Sequence, residues 1–372
     1  MASTPVNLQE LKPEEFKSFL DSFDYVFSDC DGVIWAKTAL PGAGKFFSLM
    51  KKHGKKVHFV SNNSLRSKEN YEKRFEDAEI ENGFENLTVP SIAIAEYLKS
   101  VNFDKKIYSI SCPETNNMLK SYGYEIKEGP DVGTDYYEDY ILYSKDDPEI
   151  GAVVMDCDFK VNLPKLNKAS AYLARPEVYF LCGATDKYVY HKPGFRTLAT
   201  GAFTDLVAEE TNRTPVTLGK PGKAFGEFAM KRAGVSDPSR VLFIGDMIEQ
   251  DVGLGKATGF KTLLVLNNLT VDMMLGHKTI KPDFYAQSLG GAEEDCHCQT
   301  LADLAEVAVT HSAYPATPAE HQPYRAPTAA VYWLFEARAQ RYAPYALVWF
   351  YSDNYPYSPS TNPRLRWPEI VS

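Results

Sequence analysis

Apolar positions along this chain gather in short unbroken runs rather than in strict alternation. Five stand out: Tyr25–Ser28 (YVFS), Val57–Val60 (VHFV), Pro215–Leu218 (PVTL), Val241–Ile244 (VLFI) and Thr262–Leu266 (TLLVL). A strand that is apolar at every position is one buried on both faces, as in a parallel sheet. Helical spacing follows several of these runs, in Ala43–His53 and in Lys223–Ala233 (KAFGEFAMKRA). Strand alternating with helix predicts an α/β, doubly wound layer. A second set of strands, Lys106–Ile110, Ala152–Met155 and Val178–Leu181, lies between about Glu85 and Arg213. Helices at Val89–Ser100 and Leu163–Ala174 separate them, so this stretch is expected to form an inserted α/β domain.

The expected organisation is a first core part at 1–84, an insertion at 85–213, a second core part at 214–310 and a tail at 311–372. The tail holds nine of the 23 prolines and three of the four tryptophans, but no lysine. One short helix, Ala329–Gln340, fits its pattern; the rest is broken by proline. It is read as lying outside the catalytic fold.

Composition narrows the function. The 372 residues include 40 basic and 49 acidic ones, a net charge of −9. That balance argues against nucleic acid or a membrane surface as partner, since both need excess positive charge. It leaves room for a small basic pocket. No secretory signal and no run of about 18 apolar residues is evident, so a cytoplasmic location without a membrane span is expected. The six cysteines show no zinc-ribbon spacing and are read as free thiols. Cys296-His297-Cys298 is too compressed to close a tetrahedral zinc site alone.

Four polar motifs directly follow four of the five runs: Asp29-Cys30-Asp31-Gly32, Ser61-Asn62-Asn63, Gly219-Lys220-Pro221, and Gly245-Asp246 with Asp251 five residues on. The carboxyl ends of parallel strands form a ligand crevice, so the four are expected to converge. Their chemistry fits phosphoryl transfer. One carboxylate can attack phosphorus, and a second carboxyl can protonate the leaving oxygen and later activate water. Two carboxylates and a phosphate need a hard cation, which Asp246 would help hold, and Lys220 adds positive charge. Ser61, Asn62 and Asn63 offer donors to phosphate oxygens.

With these motifs in order, the sequence resembles the haloacid dehalogenase superfamily of aspartate-nucleophile phosphatases. Within it, the chain is similar to the branch of 4-nitrophenyl, phosphoglycolate and pyridoxal phosphate phosphatases. FSDCDGVIW, HFVSNNS, LGKP and VLFIGDMIEQDVGLGKATGFKTLLVL carry the resemblance, which spans Val6 to Val307. It implies Asp29 as nucleophile and Asp31 as general acid and base. It implies Mg²⁺ held by the Asp29 side chain, the Asp31 main-chain carbonyl and Asp246, with Asp251 beside it. Ser61, Asn62, Asn63 and Lys220 would hold phosphate. The insertion would be a large cap that selects a small phosphorylated metabolite, and cap-to-cap homodimers are expected by the same analogy.

Departures concern substrate choice. The cap loop reads Cys182-Gly183-Ala184-Thr185-Asp186 where the family often has Gly-Thr-Asn-x-Asp, and Leu198-Ala199-Thr200-Gly201 stands where Pro-Gly-Thr-Gly is usual. His191 is a candidate substrate contact. Asp156-Cys157-Asp158 repeats the Asp-Cys-Asp pattern without a following glycine and is read as structural or substrate-facing. Gly253, Gly255 and Gly259 suit helix packing better than a dinucleotide loop. Cys30 is either a small buried apolar group or a site where oxidation stops activity. Transfer to an acceptor other than water, a phosphoprotein substrate and a non-catalytic phosphate binder are the alternatives to a metabolite phosphatase.

Overall fold

The computed structural model describes residues 4–131, 135–143, 145–192, 195–267, 269–290 and 300–312. The described residues form fourteen strands, in chain order: β1 (Val6–Asn7), β2 (Tyr25–Ser28), β3 (Lys56–Val60), β4 (Leu87–Thr88), β5 (Lys106–Ile110), β6 (Ile126–Glu128), β7 (Ile150–Met155), β8 (Tyr179–Cys182), β9 (Tyr188–Lys192), β10 (Phe195–Leu198), β11 (Val216–Thr217), β12 (Val241–Gly245), β13 (Lys261–Val265) and β14 (Phe284–Ala286). Seven form an all-parallel sheet in the order β1-β14-β13-β12-β2-β3-β4. Five more form a second parallel sheet in the order β11-β8-β7-β5-β6. β9 and β10 make an antiparallel hairpin.

The expected α/β doubly wound core with an α/β insertion is thus present, with helices between the strands of both sheets. Two short strands lie across the expected seams. Leu87–Thr88 falls after residue 85 yet pairs with β3 in the first sheet. Val216–Thr217, expected as a core strand within PVTL, instead pairs with β8 at the edge of the second sheet. Pro215 lacks an amide donor, which suits the start of an edge strand and not a central one. The last helix, Leu301–Ser312, also runs two residues past the seam expected at 310. Its Leu301, Ala302, Leu304 and Ala305 are buried in the core beside Phe46 and Phe47. The tail beyond Ser312, the Cys296-His297-Cys298 cluster and the helix expected at Ala329–Gln340 lie outside the described residues.

Burial explains why the runs became strands. Val26, Phe27, Leu242, Phe243, Ile244, Leu263, Leu264 and Val265 are all essentially inaccessible. A cluster of Trp35, Phe47, Phe59, Tyr71 and Phe75 packs one face, with edge-on ring pairs at 5.0–5.3 Å. Each such pair contributes about 0.5–1.5 kcal/mol beyond its area. Ser67 caps the helix Lys68–Asp77 by accepting from the Asn70 amide, a contact that stabilises by about 1 kcal/mol. Among the described residues, no helix is long and apolar enough to cross a membrane.

Order in the first sheet places a topological switch point between β2 and β12. From β2 the chain moves to β3 on one side, and later to β12 on the other. Ligands of open α/β sheets bind at such points, outside the carboxyl ends of the strands.

Candidate active site

Asp29 follows β2 and donates its amide to the Ile244 carbonyl of β12 (2.8 Å), across the switch point. Its carboxylate is buried. Oδ1 accepts from Lys220 Nζ (2.8 Å) and from the Cys30 amide (2.7 Å). Lys220 Nζ also reaches Asp251 Oδ1 at 2.7 Å. Asp251 Oδ2 accepts from the amides of Asp246 (3.1 Å) and Met247 (2.9 Å). Carboxylate oxygens of Asp29, Asp246 and Asp251 lie within 4.8 Å of one another.

The local backbone makes this crowding possible. Gly32 adopts φ +81°, and a Cβ there would lie 2.0 Å from Asp246 Oδ2. A glycine is therefore required for both conformation and room. A π-helical turn, Ile248–Val252, points Asp251 at Lys220 while sending Gln250 toward the second sheet. Gly219 allows the Lys220 loop to touch the loop after β8: a Cβ would sit 2.5 Å from the Gly183 carbonyl oxygen.

Three carboxylates around one ammonium leave excess negative charge in a dry site. Burial, opposed by Lys220 and reinforced by Asp251, pushes the Asp29 carboxyl up to about 7. Burial and the neighbouring Asp251 and Asp29 push Asp246 well above the usual carboxylate range. Burial alone would lower the Lys220 ammonium, but Asp251 and Asp29 outweigh it and hold the lysine charged. A cluster of hard oxygen donors with uncompensated charge is the kind of site a divalent cation fits.

The remaining expected residues take more specific positions. Asp31 stands outside that cluster of three, beside it and with partners of its own. Arg66 grips it with two bonds of 2.6 Å, Nη1 to Oδ2 and Nη2 to Oδ1. Trp35 Nε1 donates to Asp31 Oδ1 (3.2 Å) and Asn63 Nδ2 to Oδ2 (3.4 Å). Ser61 is buried, and its hydroxyl oxygen accepts from the Asn63 amide (3.2 Å). Asn62 braces the lysine loop: its Oδ1 accepts from the Lys220 amide (2.6 Å) and its Nδ2 donates to the Lys220 carbonyl (3.1 Å). His191 falls on β9; its side chain lies outside the described part of the chain. Cys30 is fully buried, and burial beside Asp29 and Asp31 pushes its thiol well up, as for a small apolar filler.

Two contributors were not evident from sequence. Arg66 sits in the turn before the helix Lys68–Asp77, and one arginine in a polar turn carries no signal of its own. In the sequence, Asp186 stands out only as the end of the cap loop. It accepts from Gln250 Nε2 (2.6 Å) and Asn62 Nδ2 (3.4 Å), while Thr185 Oγ1 donates to the Lys220 carbonyl (3.2 Å). The cap loop thus closes over the lysine.

Comparison with known proteins agrees with this arrangement. A family model described as haloacid dehalogenase-like hydrolase matches residues 26–125, and one described as HAD-hydrolase-like matches residues 217–292. Phosphoglycolate phosphatase 2 of Arabidopsis thaliana is 31% identical over 291 residues, covering 76% of this chain and 96% of its own. The 4-nitrophenylphosphatase of Schizosaccharomyces pombe is 30% identical over 295 residues, covering 76% of this chain and 97% of its own. Among solved structures, the p-nitrophenyl phosphatase of Archaeoglobus fulgidus superposes with a TM-score of 0.62 at 25% identity, over 77% of this chain and 99% of that one. The chain belongs to the haloacid dehalogenase-like hydrolases, in the company of their capped phosphatases. It is a phosphoric monoester hydrolase.

Proposed function

We propose that this chain is a Mg²⁺-dependent phosphatase of small phosphorylated metabolites, with phosphoglycolate-like, pyridoxal phosphate-like and aryl phosphates as its substrate classes. One observation carries the reading: Lys220 Nζ bridges Asp29 and Asp251 at the switch point, with Asp246 in the same carboxylate cluster. Asp29 is the nucleophile. Its Oδ1 is held by Lys220 and the Cys30 amide, which leaves Oδ2 to attack phosphorus. Lys220 works against the burial that raises the Asp29 carboxyl, favouring its ionised form, and faces the charge that builds on the phosphoryl oxygens. Asp31 supplies the proton to the leaving oxygen and then accepts one from water. Ser61, Asn62 and Asn63 shape the phosphate end, and the loop Gly183–Asp186 closes the other.

Asp29 and Asp246 would hold Mg²⁺, with the Asp31 main chain. Asp251 has its oxygens occupied by Lys220 and two amides, so it orients the lysine and the Asp246 loop. When bound, the cation neutralises phosphate charge in a site whose carboxyls burial has pushed up. The names of the relatives support the substrate classes, and the cap loop over Lys220 favours small substrates.

The test is a phosphometabolite panel assayed for released phosphate, with and without Mg²⁺. Turnover that needs Mg²⁺ and disappears in Asp29→Asn is expected. Retained activity in that variant, or release without any divalent cation, would refute the mechanism.

A further inference from the structure

Asp31 is the carboxyl that must give and take a proton, and its side chain is fixed from several directions. Arg66 binds both its oxygens at 2.6 Å in a planar fork, and Trp35 and Asn63 add one donor each. Arg66 is itself held in place. Its side chain is only 9% exposed, and its guanidinium lies over the Tyr71 ring at 5.7 Å. The Tyr71 hydroxyl in turn donates to the Asn63 carbonyl at 2.6 Å. The two aspartates of the triplet therefore each have a separate cation: Lys220 for Asp29, Arg66 for Asp31.

We propose that Arg66 is a positioning residue for proton transfer: it aims Asp31 at the leaving oxygen and holds the Asp31 carboxylate between the two half-reactions. The inference rests on the phosphatase reading above. In the first half, Asp29 bonds to phosphorus, the bond from phosphorus to the leaving oxygen breaks, and the Asp31 proton passes to that oxygen. Asp31 is left as a carboxylate, which the two donors of the Arg66 fork stabilise. In the second half, that carboxylate takes a proton from water as the water oxygen bonds to phosphorus. The bond from phosphorus to Asp29 breaks, and inorganic phosphate, the Asp29 carboxylate and the Asp31 carboxyl are restored. A lysine would supply the charge without the fork that fixes direction.

Leaving groups separate this role from a merely structural one. An alkoxide needs a proton to depart, whereas 4-nitrophenolate departs without one. In Arg66→Met, kcat/KM for an alkyl phosphate such as glycerol phosphate should fall by about 10²-fold, the scale of lost general-acid catalysis. For 4-nitrophenyl phosphate it should fall less than about tenfold, because kcat/KM ends at leaving-group departure. Arg66→Lys should show the same bias at reduced size, and it reads the effect even if Arg66→Met fails to fold. Equal losses for the two substrates, or a Lys variant indistinguishable from wild type, would overturn the proposal. Wild-type protein inert toward both phosphates would overturn the phosphatase reading and this inference with it; an active wild type with equal losses overturns this inference alone.

Discussion

The tripeptide Asp-Cys-Asp occurs twice, at Asp29–Asp31 and at Asp156–Asp158, and the two copies share much of their setting. Each follows a buried parallel strand at the switch point of its sheet. Each first aspartate donates its amide across that point, Asp29 to Ile244 (2.8 Å) and Asp156 to Ile110 (2.9 Å). Their partners differ. Asp29 meets a buried lysine and two further carboxylates. Asp156 meets neutral donors, the Thr115 hydroxyl (3.0 Å) and the Ala184 amide (3.3 Å), and burial pushes its carboxyl up with no cation opposing it. Asp31 faces Arg66. Asp158 pairs with Lys165 (2.8 Å) and takes the Lys160 amide of its own turn (2.8 Å). Gly32 opens the first loop toward Asp246, while Phe159 occupies the same position in the second and is exposed. In the second sheet, moreover, the crevice is met by the first sheet's own loop: Cys112 Sγ donates to the Ser64 carbonyl at 3.3 Å. One crevice gathers charged groups, and the other, within the insertion, receives a loop of the core.

The largest contrast should come from the first aspartates. Asp29→Asn is expected to lower kcat by roughly 10⁴-fold or more, as for loss of a nucleophile. Asp156→Asn should keep activity within about threefold and shift stability by about 1 kcal/mol, since its partners are neutral donors. Steady-state assays and denaturant unfolding of both variants check this; comparable losses of activity would break the distinction.

Lys220→Met leaves Asp29 and Asp251 buried without their cation. A destabilisation of about 3–5 kcal/mol is expected from such a broken buried pair, with activity down about 10²–10³-fold. Replacing Lys165 by Met should destabilise as well, through Asp158, and leave kcat near wild type. Unfolding midpoints and turnover measured together separate the two lysines.

Position 32 against position 159 gives a smaller effect. Gly32→Ala drives a Cβ into Asp246 and should cost about 10²-fold in activity, with weaker Mg²⁺ binding by calorimetry. Phe159→Ala should change neither.

Titration gives the mildest contrast. Without a divalent cation, burial pushes the Asp29 carboxyl up to about 7 from its ordinary 3.8. The folded state then binds more protons than the unfolded state between those values. Stability from this group is full below about 4 and is lost as pH rises toward 7. Mg²⁺ should therefore raise the melting temperature more at pH 7.5 than at pH 5. Asp29→Asn should flatten that difference, and Asp156→Asn should preserve it. Thermal scans at the two pH values decide it.

Much of the core was legible because its signals are local. Tyr25–Ser28, Lys106–Ile110 and Lys223–Ala233 match their elements end for end, since unbroken apolar runs and helical spacing record burial directly. The edge strands β1 and β4, and the short β14 that pairs with β1 and β13, were not legible: two or three residues carry no periodicity, and they become strands only because a neighbour offers a ladder.

The sequence alone determined the family, the α/β class and the aspartates that end β2 and β12, because motifs at strand ends combine local pattern with a fixed order. Only the tertiary structure decided which charges meet. It moved Val216–Thr217 to the second sheet, so that Lys220 reaches Asp29 from a loop shared between the sheets. It placed Arg66 on Asp31 across 35 positions of chain and Asp186 on Gln250 across 64. It also gave the first aspartate of one Asp-Cys-Asp a lysine and the first aspartate of the other a threonine. The physical reason is range: burial is written residue by residue, whereas an ion pair between distant residues exists only once the chain has closed around it.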